Sequence, residues 1–198
     1  MKNLIIISAP SGSGKTTVCR ALQKRDPQVH FSVSFTTRAK RSNEIEGVDY
    51  YFIENDEFKI RIENNEFAEW EKIHGNFYYG TLANTLIRTI AEKKILLLEL
   101  DVKGAMSIKK LYPDNTLTIF VVPPSMEELR TRLRNRGADS EERIAKRLAR
   151  LIDEMDYKKY FDHSVVNLKV DDAVAEIFEI LTKENKGLYH GIGNIINS

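Results

Sequence analysis

The residues Ala9-Pro10-Ser11-Gly12-Ser13-Gly14-Lys15-Thr16 constrain this chain more than any other stretch. They follow the apolar run Leu4-Ile5-Ile6-Ile7 and open into Thr17-Val18-Cys19-Arg20-Ala21-Leu22, which reads as a helix. A strand, a glycine-rich turn, Lys-Thr and a helix together form a phosphate cradle. Its glycines let backbone N–H groups face an anion at a helix N-terminus, where the helix dipole favours negative charge. Lys15 then reaches the terminal phosphates as a point charge, and the Thr16 hydroxyl is a ligand for Mg²⁺. Ala9 stands where the usual spacing has its first glycine. Alanine is comfortable only at negative φ, so the turn must begin at an ordinary extended angle there. The alternative is an accidental Gly/Ser turn, against which the strand before and the helix after both argue.

The rest of the chain continues the alternation. Strand-like apolar runs occupy residues 4–7, 95–100, 117–122 and 164–166, and helical patterns occupy 15–25, 104–111, 125–135 and 173–186. Near-continuous apolar strands between amphipathic helices predict a parallel sheet covered on both faces, an α/β fold. Ser125 with Glu128 forms a capping box. Asp171 or Asp172 caps the last helix, and Gly187 ends it. Residues 34–82 break the pattern with aromatic, strand-like segments at 50–53, 67–70 and 77–79, a helix over 56–64 and a Gly75-Asn76 hairpin turn. They read as a small antiparallel insertion. Residues 125–160 form a second insertion of two charged helices around Gly137. The core is then 1–33, 83–124 and 161–198 of a single domain, which 198 residues allow.

A net charge of +1 gives no general case for nucleic-acid or membrane binding. The single cysteine, Cys19, excludes an intrachain disulfide and suits a small buried position. The N-terminal apolar run is too short for a signal-peptide core, and no run is long enough to cross a membrane, so the expected location is the cytoplasm. The histidines have no metal-ligand spacing.

The stretch from Thr36 to Ile53 holds the second motif: Thr36, Thr37, Arg38, Arg41, Glu44, Gly47, Tyr50, Phe52 and Ile53. Two guanidinium forks, with the phenols of Tyr50 and Tyr79, suit a phosphomonoester with three terminal oxygens. This pattern resembles the guanylate kinase signature at every fixed position. The resemblance extends over essentially the whole chain, including Tyr79-Gly80-Thr81, Leu98-Glu99-Leu100-Asp101 and the block from Pro123 to Gly137.

The resemblance implies a P-loop kinase that moves the γ-phosphate of ATP, with Mg²⁺, onto GMP, and onto dGMP as well. ATP would lie on Ala9, Pro10, Ser11, Gly12, Ser13, Gly14, Lys15, Thr16 and Thr17, with Asn167 at the adenine. Arg38, Arg41, Tyr50 and Tyr79 would hold the acceptor phosphate; Ser34, Glu69, Thr81 and Asp101 would surround guanine. Guanine offers N1–H and N2–H₂ as donors and O6 as an acceptor, which Glu69 and the Ser34 hydroxyl complement. Adenine would leave Glu69 without its donors, at a cost of ~1.5–3 kcal/mol or more. Asp101 would help hold Mg²⁺ through water, as a Walker-B acid does. Arg132, Arg136 and Arg147 would be lid residues closing on the transferring group, although Arg130, Arg134 and Arg150 make this region arginine-rich throughout. Lys103 replaces a common family glutamine.

Two rivals remain at this stage. One is a nucleoside monophosphate kinase with AMP or a pyrimidine as acceptor, which Glu69 with Ser34 disfavours. The other is a catalytically inactive, guanylate-kinase-like phosphopeptide module. Such modules typically lose the cradle that this chain keeps.

Overall fold

Leu4–Ser8 forms β1, and all of its side chains are buried. It lies at the centre of a five-stranded parallel sheet of order β2-β7-β1-β8-β9. The partners are β2 (Val29–Phe31), β7 (Ile95–Glu99), β8 (Thr116–Val122) and β9 (His163–Val166). The computed structural model describes residues 1–10, 13–73, 76–125, 127–128 and 153–185. The expected second insertion therefore falls largely outside the described residues. At its start, Glu128 N–H donates to Ser125 Oγ at 3.0 Å, half of the expected capping box.

Alternate residues of β1 and β7 serve opposite faces of the sheet, the period-2 consequence of a strand buried on both sides. Ile5, Ile7 and Leu97 pack with Val18, Cys19 and Leu22 of α1 (Lys15–Arg25) and Ile177 and Leu181 of α5 (Val170–Glu184). Leu4, Ile6, Leu96 and Leu98 pack with Leu86 of α3 (Ala83–Ala91) and Ala105 and Ile108 of α4 (Val102–Leu111). Cys19 takes the small buried position expected of it, and burial pushes its thiol pKa up.

The insertion forms its own four-stranded sheet, of order β4-β3-β6-β5, with α2 (Asn55–Glu63) between β4 and β5. β3 (Ser34–Thr36), β6 (Phe77–Leu82) and β5 (Phe67–Ile73) pair antiparallel, but β4 (Tyr50–Phe52) runs parallel to β3. The sheet is mixed rather than wholly antiparallel. A parallel pair needs a long crossover, and the signature loop between β3 and β4 provides it. Asn76, at φ 75, stands in the β5–β6 turn.

The last helix starts earlier than the sequence suggests. Lys169 is its N-cap without a side-chain cap bond, and Asp171 and Asp172 fall in the first turn, where carboxylates complement the dipole. Asn185 follows the helix and is tied to Lys2 in both directions, at 2.9 and 3.1 Å. No described helix is long and apolar enough to cross a membrane.

Leu98 is fully buried between β1 and the α3–α4 face. Leu98→Ala should lower the urea-unfolding free energy by about 2–5 kcal/mol, through lost transfer energy and the cavity left behind.

Candidate active site

The C-terminal ends of β1 and β7 open onto one cleft of about 680 Å³. Ligands sit at such strand ends in open parallel sheets. Ala9, Pro10, Gly14, Lys15, Thr16 and Thr17 line the cradle wall, and Ser34, Tyr50, Glu69 and Tyr79 line the insertion wall. Asp101 lies between them, with Glu99 and Leu100. The cradle and, from the second motif, Tyr50 thus line a single space; Arg38, Arg41 and Thr81 are not among its lining residues.

On the cradle side, Ser13 N–H donates to Pro10 O at 3.1 Å, which tightens the turn. Ala9 is buried and is not among the positive-φ residues, as its Cβ requires. Gly14 is the N-cap of α1 at φ 85, where only glycine is unstrained. Ser11 and Gly12 lie outside the described residues. Lys15 Nζ donates to the Leu100 carbonyl at 2.9 Å. Thr16 Oγ1 donates to Glu99 Oε1 at 2.6 Å. Asp101 accepts from Gly104 N–H at 2.7 Å and so caps α4. Of the two acids that end β7, Glu99 is the one on the Thr16 hydroxyl.

Asn167 is only 2% exposed. Its Nδ2 donates to Ser13 O at 2.7 Å, and its backbone N–H to Val122 O at 2.8 Å. A Cβ on Gly14 would come within 2.6 Å of that Nδ2. Asn167 thus braces the cradle from below, and it doubles the demand for glycine at position 14.

On the insertion side, Arg38 is held on all sides. Nε donates to Tyr79 Oη at 3.1 Å, Nη1 to Glu44 Oε2 at 3.0 Å and Ala39 O at 2.8 Å, and Nη2 to Glu44 Oε1 at 2.7 Å. The guanidinium keeps Glu44 below the usual carboxylate range. Glu44 also accepts from Arg41 N–H at 2.8 Å, which folds the loop. Sequence reasoning gave Glu44 no role, although it is the acid of the signature, three residues after Arg41. The Arg41 side chain is 69% exposed and reaches Glu44 only at 3.8 Å, so the structure leaves it outside the cleft. Tyr50 and Tyr79 meet edge to face at 5.8 Å, and burial pushes the Tyr50 phenol up.

Glu69 is buried on β5. Desolvation, with Asp101 and Glu71 nearby, pushes its pKa up to about 7, against the lowering effect of Thr81. Buried Thr81 donates Oγ1–H to Glu69 Oε1 at 2.7 Å. Oε2 occupies the space over Gly104, where a Cβ would lie 2.9 Å away. Ser34 lines the cleft half-buried. Lys103 is exposed at the rim, where Glu71 feels its charge. Arg132, Arg136 and Arg147 lie outside the described residues. Among the described residues, no group of three or more His, Cys, Asp or Glu could hold a metal.

The family model described as Guanylate kinase matches residues 1–184. A guanylate kinase of Porphyromonas gingivalis is 48% identical over 181 residues, which is 91% of this chain and 95% of the relative. One from Carboxydothermus hydrogenoformans is 41% identical over 181 residues, covering 91% and 88%. Among solved structures, the crystal structure of guanylate kinase from Anaplasma phagocytophilum aligns with a TM-score of 0.77 at 31% identity, over 91% of this chain and 85% of that one. Shikimate kinase from Bacteroides thetaiotaomicron aligns with a TM-score of 0.50 at 12% identity, over 90% and 97%, a likeness of fold alone.

The brace under the cradle can be measured directly. Asn167→Ala leaves the Ser13 carbonyl without this donor, and urea unfolding should show a loss of about 1–3 kcal/mol.

Proposed function

The chain belongs to the guanylate kinase family and phosphorylates GMP to GDP with ATP; from that premise we propose an in-line transfer across the cleft and a role for each residue around it. The observation that carries the reading is the shared cleft, with Lys15 and Thr16 on one wall and the buried Glu69 carboxylate on the other. An oxygen of the acceptor phosphate attacks the γ-phosphorus, and the β–γ bridging oxygen leaves with ADP. The attacking oxygen is already ionised near neutral pH, so no dedicated base is needed; positioning and charge neutralisation suffice.

The Gly14 amide, Lys15 and Thr16 hold the donor. Lys15 rests on a neutral carbonyl in the free protein. Exchanging that partner for a phosphate anion is favourable, because charge-assisted hydrogen bonds are about twice as strong. A nucleotide kinase requires a divalent cation. Thr16 Oγ1 and Glu99, with Asp101 through water, form an oxygen-only set that suits Mg²⁺, which usually keeps several waters and substrate phosphates as ligands. That ion would neutralise charge on the phosphates. Arg136, Arg147 and Arg132 would add positive charge over the transferring group.

Arg38, Tyr50 and Tyr79 hold the acceptor phosphate, and Arg41 joins them by turning inward from its exposed position. Glu69 takes guanine N1–H and N2–H₂, Ser34 gives to O6, and Thr81 keeps Glu69 in register. Asp101 completes the guanine side. None of these roles involves the ribose 2′-hydroxyl, so dGMP should also be accepted. The location that suits such substrates is the cytoplasm, and a net charge of +1 favours no nucleic-acid partner.

Coupled ADP release with GMP, dGMP, AMP, UMP and TMP tests the acceptor assignment. Turnover should be confined to GMP and dGMP, and Lys15→Ala should lower kcat by at least about 10²-fold. Comparable turnover of AMP would refute the role of Glu69.

The pH dependence tests Glu69 separately. With its pKa raised to about 7, the free protein holds Glu69 protonated below that pH. Guanine needs the carboxylate, so affinity is gained as pH rises through 7. KM for GMP should fall about tenfold from pH 6 to 8, as the ionised fraction goes from about a tenth to about nine tenths. The phosphate of GMP titrates in the same range, but it does so equally for Glu69→Gln. The ratio of the two KM profiles isolates the carboxylate, and parallel profiles would exclude it.

A further inference from the structure

Arg20 stands on α1, the helix that the cradle opens into, and its side chain leaves the core sheet for the insertion. Nη2 donates to Val48 O at 3.0 Å and to Asp49 Oδ1 at 2.8 Å. Nη1 donates to Gln23 Oε1 at 3.3 Å, and the guanidinium lies 4.3 Å from the centre of the Phe31 ring. The fork is thus fixed from its own helix and from β2 before it reaches the loop.

Asp49 is the residue before Tyr50, and its other oxygen accepts from Ile45 N–H at 2.8 Å. Asp49 N–H closes the same turn on Ile45 O at 3.0 Å, and Gly47, at φ +72, bonds Tyr50 O at 2.9 Å. This turn joins the Arg38–Arg41–Glu44 part of the signature loop to Tyr50.

We propose that Arg20 is a positioning residue for the acceptor phosphate: through Asp49 it ties the signature loop to the donor-site helix and sets where Arg38, Arg41 and Tyr50 stand relative to the cradle. The proposal rests on the acceptor-phosphate role given to those residues above. Isolated surface ion pairs contribute little, because two long side chains must be ordered to make them. Here the guanidinium is already ordered by the ring and by Gln23, and both partners are about seven-tenths shielded, with side-chain exposures of 32% and 28%. Lysine could not reproduce it, since one ammonium lacks the planar face for Phe31 and the fork. A loop freed from α1 would still carry its arginines, but they would no longer be held facing the donor.

The test is a double-mutant cycle in steady-state kinetics with Arg20→Ala, Asp49→Asn and the pair, together with Arg20→Lys and Arg38→Ala. KM, unlike kcat, does not depend on what fraction of a sample is folded. Arg20→Ala and Asp49→Asn should each raise KM for GMP about threefold to tenfold and leave KM for ATP within about twofold. The double variant should be no worse than the worse single one, because both remove the same link. Arg20→Lys should recover only part of the loss. An unchanged KM for GMP, equal rises in both KM values, or multiplying effects in the pair would overturn the proposal. Arg38→Ala separates the two levels. If it raises KM for GMP while Arg20→Ala does not, the link alone is refuted. If it leaves KM for GMP unchanged, the phosphate role of the loop fails and this inference with it.

Discussion

Burial of β1 on both faces, with β7 and β8 as its parallel neighbours, is the constraint on which the molecule depends. Because the strands are parallel, their C-terminal ends fall on one edge, and chain that leaves different strands converges there. The cradle leaves β1, the Glu99–Leu100–Asp101 segment ends β7, and Asn167 follows β9. Residues far apart in sequence thereby come into hydrogen-bond distance, as when Asn167 supports Ser13 across 154 positions. The cost of the arrangement is local: a left-handed backbone at Gly14, with no room for a Cβ beside Asn167.

Lys15 of the cleft and Arg38 of the signature loop are held in different ways. Lys15 waits on a neutral carbonyl and is free to exchange partners. Arg38 is clamped by Glu44 and Tyr79, which fix the orientation of its guanidinium. Across the cleft from Lys15, Glu69 and Glu71 both have raised pKa values, each from burial first and Asp101 next among the raising influences. On the proposed reading, Lys15 takes the phosphates on one side of the cleft and Glu69 the N–H groups of the base on the other.

Much of this was legible in the sequence, for a physical reason. Strands buried on both faces must be apolar at nearly every position, so β1, β7 and β8 stand out. The three-residue strands β2 and β3 are too short to show a period, and α3 follows β6 with no turn residue between them. Residue types at fixed spacing announced the cradle and the signature. Their partners did not, because a hydrogen bond such as Thr81 to Glu69 or Arg20 to Asp49 depends on tertiary approach. Asp101 was legible as an acid at a strand end, but its work as a helix cap was not. Asn167 was legible as the residue after the last strand, but its bond to the Ser13 carbonyl was not, because that bond depends on tertiary approach.

Gly104, in the first turn of α4, faces Glu69. The carboxylate of Glu69 occupies the volume that any side chain at position 104 would take. The two positions are therefore epistatic. Alanine at 104 would require the Glu69 carboxylate to shift, since its Oε2 would lie 2.9 Å from the new Cβ. On the proposed reading of Glu69, the choice of base on this scaffold is then coupled to two positions, one on β5 and one on the first turn of α4.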